Sequence, residues 1–213
     1  MDAKQKIAAR VAQELSDGQL VNLGIGLPTM VADYLPEGVN VVLQSENGMV
    51  GLIGLDESNV DPNITNAGGS LVSVDEYGAF FDSSYSFALI RGGHVDATVL
   101  GTLEVDQEGT IANYMIPGKM VPGMGGAMDL VTGARKVIVA MVHTSKGKPK
   151  ILKKCTLPLT GVKCADMIVT ELAVFEVKDD YLLLTEIANE TTVEEVIELT
   201  EARVELADNI KEF

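Results

Sequence analysis

Lys136 to Val142 reads Lys-Val-Ile-Val-Ala-Met-Val, an apolar run with no polar alternation. A strand that shows one face to water alternates apolar with polar residues. One that is apolar at every position is buried on both faces, as the central strands of parallel sheets are. Val39 to Leu43 and Val95 to Val105 are comparably β-like, and Leu20 to Leu23 is a shorter run. Helical patterns lie between them. Lys4 to Leu15 carries Ile7, Ala8, Val11, Ala12 and Leu15 on one face, stopped by Gly18. Asp82 or Ser83 caps a helix over 84–91, a third covers 127–132, and Thr192-Val-Glu-Glu195 is a capping box for a helix to about Ala202. Strands alternating with short helices predict an α/β fold with a mostly parallel sheet. Asp166 to Val177 and Tyr181 to Ile187, joined by Lys178-Asp-Asp180, predict an antiparallel edge near the C-terminus. Thr110 to Ile116 is expected to pair antiparallel with the Val95–Val105 strand. Asp56 to Asn66 and the basic stretch Lys146 to Lys154 read as surface loops, and the residues after Arg203 as peripheral.

The 213 residues are expected to form one domain, 1–213, with enough chain for a sizeable core. A net charge of -15 argues against nucleic acid and against an anionic membrane surface, both of which need cationic patches. No apolar run is long enough to span a bilayer, and the charged Met1–Arg10 segment has no signal-peptide core. Cys155 and Cys164 lack CxxC spacing and read as reduced core thiols of a cytoplasmic protein.

The strand Val39–Leu43 runs into Gln44-Ser-Glu-Asn-Gly48, which puts Glu46 just past a carboxyl strand end. In open α/β sheets that is where ligands bind. The same five residues also make an ordinary turn, with Asn-Gly supplying positive φ. Leu20 to Leu23 leads into Gly24-Ile-Gly-Leu-Pro-Thr29, and a helix over 29–35 ends at Pro36. Strand, glycine turn and helix start form an anion-binding arrangement. The dinucleotide fingerprint is incomplete, because Thr29 stands where the third glycine would be, and packing alone also accounts for the glycines. Asn66-Ala-Gly-Gly69 and the glycine-dense Pro117–Met128 are further loops shaped for close backbone approach.

Neither G-x-S-x-G nor H-E-x-x-H occurs, Gly118-Lys119 completes no P-loop, and His94 and His143 share no metal-ligand spacing. Each histidine is expected to be neutral and satisfied by a backbone group. The remaining candidate for chemistry is a carboxylate among glycine loops. Carboxylates are ionised at neutral pH and need no general base to act as nucleophiles. They do need an electrophilic carbonyl and donors for the oxyanion, which amides of the 123–126 loop can supply. This combination suits acyl transfer.

Five segments, Asn22-Leu-Gly-Ile-Gly26, Gln44-Ser-Glu-Asn-Gly48, Ile90-Arg-Gly-Gly-His94, Ile116-Pro-Gly-Lys-Met120 and Gly123-Met-Gly-Gly-Ala-Met-Asp-Leu130, resemble in type and order the β subunits of family I CoA-transferases. The likeness runs from Met1 to about Ala202 and is strongest toward those acting on acetate and acetoacetate. It implies a three-layer αβα fold and a ping-pong reaction through a glutamyl–CoA thioester on Glu46. It further implies an oxyanion donor at Gly126 beside Gly125, and Asn22, Gly24 and Gly26 lining the site. Coenzyme A and short-chain acids are then substrates, with no metal and no other cofactor. An α subunit completes the site, expected as α2β2. Succinyl-CoA relatives carry Lys in the Asn-Ala-Gly-Lys stretch where this chain has Gly69, which tilts the reading from a 3-oxoacid enzyme. Tyr114 stands where relatives often have Trp. A non-catalytic anion-binding subunit is the reading from a different functional class.

Overall fold

A computed structural model describes residues 1–119 and 123–213. Met120 to Pro122, within the glycine-dense loop expected over 117–128, lie outside the described residues. The chain order is α1 (Ala3–Ala12), β1 (Leu20–Leu23), a 3₁₀ helix (Leu27–Tyr34), β2 (Val42–Ser45), β3 (Met49–Ile53), β4 (Ser73–Phe80), α2 (Ser83–Arg91), β5 (Ala97–Leu100), β6 (Glu104–Asp106) and β7 (Ile111–Ala112). It continues with α3 (Ala127–Gly133), β8 (Val137–Ala140), β9 (Thr144–Ser145), β10 (Lys148–Pro149), β11 (Ile151–Leu152), β12 (Met167–Val169), β13 (Ala173–Val177), β14 (Leu182–Ile187), α4 (Val193–Glu198) and β15 (Val204–Glu212).

Ten strands form one sheet in the order β15-β14-β13-β12-β8-β5-β1-β2-β3-β4. Its middle, β12-β8-β5-β1-β2, is parallel throughout. The Lys136–Val142 run supplies β8, buried at all four strand positions. Antiparallel pairs flank the middle on both sides, β13-β14 as expected, and β12-β13 and β2-β3-β4 in addition.

Alternate residues of the parallel strands feed two apolar layers. Val21, Ala97, Val99, Ile138 and Ala140 pack with Ile7, Val11 and Val31 of α1 and the 3₁₀ helix. Leu100, Val137 and Val139 pack with Ile90, Leu130 and Val131 of α2 and α3. The result is helix, sheet, helix. Asp2 caps α1 by a full capping box with Gln5, and Asp82, one of the two expected caps, holds α2. Thr192 caps α4 by accepting from Glu195 N, and α4 ends at Glu198, short of the expected Ala202.

Local chemistry overrode the sequence pattern at several places. The helix expected over 29–35 is the tighter 3₁₀ form starting at Leu27, with Pro28 in its first turn and no side-chain cap at Gly26. Val95–Val105 splits at Gly101 into β5 and β6, which belong to different sheets; β7 pairs antiparallel with β6, as expected. Asp166–Val177 is a hairpin, because the Thr170 hydroxyl accepts from Leu172 N and Ala173 N and turns the chain without Gly, Pro or Asn. The basic 146–154 stretch is only partly a solvated loop. Lys146 and Gly147, at φ 52° and 74°, turn β9 into β10, and Ile151 and Leu152 are buried beside β6. The segment after Arg203 is an ordered edge strand, β15, paired parallel with β14.

Candidate active site

β1 and β2 are parallel and in register, Asn22 opposite Gln44, so both deliver their carboxyl ends to the same rim. Because side chains alternate, Val21 points into the α1 layer and Asn22 takes the α2–α3 side, where it is 1% exposed. Beyond Ser45 the chain turns through Glu46-Asn47-Gly48 into β3. Gly48 makes this turn possible. It has φ 125°, its N–H donates to Ser45 O at 3.0 Å, and a Cβ there would lie 2.2 Å from Phe81 O. Asn47 does not have positive φ; the glycine alone supplies it.

The half-buried Glu46 carboxylate stands at this rim. Asn22 Nδ2 donates to Glu46 Oε2 at 3.3 Å and to Gln44 Oε1 at 2.8 Å. On another side lies Gly126, at the N-terminal end of α3. A Cβ on Gly126 would lie 3.1 Å from Glu46 Cγ and 3.3 Å from Oε1, and one on Gly125 3.9 Å from Oε1. The loop after Thr65 is tied to the Glu46 turn. Ser45 Oγ accepts from Ala67 N at 2.9 Å, and Asn47 Nδ2 donates to Thr65 O at 2.7 Å. A Cβ on Gly68 of that loop would meet Ile25 Cγ1 at 3.1 Å, so the exposed Ile25 of the first glycine turn borders the same loop. Gly69 has φ 79° and open space around it.

Four of the expected residues, Glu46, Asn22, Gly125 and Gly126, thus come together. Gly24 and Gly26 have other work. Gly24 N donates to Val99 O at 2.8 Å, and a Cβ would lie 3.0 Å from that oxygen, so this glycine lets β1 approach β5 and its amide is already used. Gly26, at φ 88°, starts the 3₁₀ helix and accepts from Thr29 N and Oγ1. Gln44 and Ser86 drew no notice in the sequence as site residues; Gln44 Nε2 donates to Ser86 Oγ at 3.0 Å. The only advance sign was that Gln44 opens the Gln44–Gly48 segment that carries Glu46.

The cysteines and histidines are placed away from any such role. Burial pushes the Cys155 thiol up to about 12 and Cys164 to about 11, which suppresses thiolate. His143 is fully buried, its ring bonded to Thr170 Oγ1 and Thr200 Oγ1 instead of the expected backbone group, and burial brings its pKa down to about 4. His94 is exposed, not buried against a backbone partner. Two concavities, of about 920 and 610 Å³, lie elsewhere, the first along Arg10, Glu14 and Glu186, the second along Glu108, Lys163 and Tyr181. Glu46 lines neither of them.

The arrangement offers a carboxylate with one face held by an amide donor and another opened by a missing side chain. That suits nucleophilic attack on an acyl carbonyl brought in from the rim. Similarity to known proteins supplies the family. Residues 4–199 match the family model described as Coenzyme A transferase. The chain is 59% identical over its whole length, and 96% of the relative's, to the β chain of the acetate CoA-transferase of Haemophilus influenzae. It is 47% identical, over 98% of both chains, to one of the chains of a probable succinyl-CoA:3-ketoacid coenzyme A transferase of Bacillus subtilis. Among solved structures, the acyl-CoA transferase of Escherichia coli O157:H7 superposes over all of this chain with TM-score 0.79 at 22% identity. This chain spans 43% of that one, less than half its length.

Proposed function

The chain belongs to the coenzyme A transferase family, and on that premise we propose that it is the β subunit of an enzyme moving CoA between short-chain carboxylic acids, acetate and acetoacetate or butyrate among them, with Glu46 as the nucleophile. Glu46 Oε attacks the acyl-CoA thioester carbonyl, the C–S bond breaks, and a mixed acyl–glutamyl anhydride and CoA thiolate result. The thiolate adds to the glutamyl carbonyl and expels the first acid as its carboxylate, leaving a glutamyl–CoA thioester. A second carboxylate attacks that thioester and releases thiolate; attack of the thiolate on the new acyl carbonyl then gives the product acyl-CoA and frees Glu46. CoA enters as substrate, and no metal or other cofactor takes part.

The observation that carries this reading is the Glu46 carboxylate held 3.3 Å from Asn22 Nδ2 with the Cβ-free Gly126 against its side chain. Carbonyl addition makes an oxyanion, and the Gly126 amide and Asn22 Nδ2 are the donors of this chain for it. Both intermediates are activated acyl groups that water would destroy. Among the described residues Glu46 lines neither of the two concavities, which supports a site closed by a second chain. The Haemophilus influenzae relative is named as the β component of its enzyme, which supports an α partner, and α2β2 is the assembly proposed. Two half-buried free cysteines suit a reducing cytoplasm.

The test is the intact mass of this chain, denatured in acid after the complex with its α partner has met acetoacetyl-CoA. A CoA-sized adduct mapped to Glu46, absent from Glu46→Gln, is expected. Transfer activity retained by an assembled Glu46→Gln complex would overturn the proposal and favour the anion-binding reading.

A further inference from the structure

Gln44, Asn22 and Thr98 are aligned partners across β2, β1 and β5, and all three are buried, at 3%, 1% and 0% exposure. A polar row at this depth, beside the apolar layer of Leu100, Ile90 and Leu130, is costly unless hydrogen-bonded. Its bonds run one way. Ser86 Oγ of α2 accepts from Gln44 Nε2 at 3.0 Å, Gln44 Oε1 accepts from Asn22 Nδ2 at 2.8 Å as the closest of its contacts, and the same Nδ2 reaches the Gln44 backbone O and Glu46 Oε2, each at 3.3 Å. The direction is set by charge. Reversing the Asn22 amide would turn Oδ1 toward a carboxylate and toward Gln44 Oε1, acceptor against acceptor. On its far side Asn22 has no hold. Asn22 Oδ1 and Thr98 Oγ1 are buried without hydrogen-bond partners among the described residues. The rotation of the Asn22 amide is therefore governed from the Gln44 side.

We infer that Gln44, anchored by Ser86, is a positioning residue that fixes the Asn22 amide so that one N–H faces Glu46. Gln44 is bonded to Asn22 and Ser86 and has no bond to Glu46, so it acts through Asn22. The inference rests on Glu46 being the nucleophile. Misaiming a donor at the reacting carboxyl slows the chemical steps and leaves substrate binding in place, and small misplacements of this kind cost up to about a hundredfold.

The experiment is a double-mutant cycle in the assembled complex, using Gln44→Met, which nearly preserves volume, and Asn22→Ala. Gln44→Met is expected to lower kcat about 10- to 100-fold with KM for acyl-CoA and acid within about twofold. In the Asn22→Ala background the same change is expected to cost less than about twofold more, because there is no amide left to aim. Losses that multiply, or a raised KM at unchanged kcat, would overturn the inference. If Gln44→Met does not assemble, Ser86→Ala reads the same relay: a fall in kcat that disappears with Asn22→Ala supports it, and one that persists there sinks it. Glu46→Gln separates the two readings. Activity in that variant defeats the nucleophile itself, whereas an inactive Glu46→Gln beside a multiplicative cycle defeats only the role of Gln44.

Discussion

Gly126 has a backbone any residue can adopt, φ −82° and ψ 3°, so its lack of a side chain matters through what stands beside it. A methyl there would press on Glu46 Cγ at 3.1 Å and Oε1 at 3.3 Å. Gly126→Ala should therefore fold normally and lose at least about tenfold in kcat, since sub-ångström shifts of a nucleophile are expensive; a thermal melt beside steady-state kinetics checks both halves. Gly48 is the opposite case. With φ 125° and a Cβ site 2.2 Å from Phe81 O, Gly48→Ala combines backbone strain with a clash. A loss of about 3 kcal/mol or more is expected, measured by urea unfolding. The sequence marked Gly48 as a turn residue and Gly126 as an amide donor, and showed neither the Phe81 carbonyl beside one nor the Glu46 side chain against the other. Glu46 was legible there because strand, polar tip and glycine fell in order. The Gln44–Asn22–Ser86 relay was not, because it joins residues 22 and 42 positions apart through strand register and helix docking.

At the scale of elements, α1 is clasped to the sheet by charge. Arg10, 6% exposed, donates to both Glu186 carboxylate oxygens on β14 at 2.6 and 2.7 Å and is paired with Glu14 at 2.8 Å. Burial alone would lower the Arg10 pKa, and the bonds to Glu186 and Glu14 more than offset it. Burial would likewise raise Glu14, but Lys136 and Arg10 outweigh it and hold it low. Removing Glu186 leaves Arg10 with Glu14 as its remaining partner and takes away two charge-assisted bonds, so Glu186→Ala should cost about 1.5–3 kcal/mol. Faster hydrogen exchange along α1, with α3 unchanged, would locate the loss. The pairing was invisible in the sequence, where Glu186 was simply one residue of a strand. The hairpin at Thr170 was hidden too, because a hydroxyl can turn a chain at a residue that otherwise favours strands.

For the whole molecule, His143 couples the fold to pH. Its pKa falls from 6.5 to about 4 on folding, through burial first and the nearby Lys150 charge second. The unfolded chain thus binds the proton more readily. The stability is fully present above pH 6.5 and is lost as pH falls toward 4, about 3 kcal/mol in all. Urea unfolding at steps from pH 7 to pH 4 checks this, and His143→Gln should flatten the dependence between 6.5 and 5. The sequence by itself determined the class of fold and the strand that leads to Glu46, because apolar runs, caps and glycine turns act locally and leave their pattern in the chain; the family rested on the likeness of several motifs in fixed order. Tertiary structure alone decided that β15 closes one edge, that Gly24 serves packing while Gly126 faces the carboxylate, and which amide is aimed at it. Those outcomes depend on register and on the approach of distant backbones, and no short stretch of sequence encodes either.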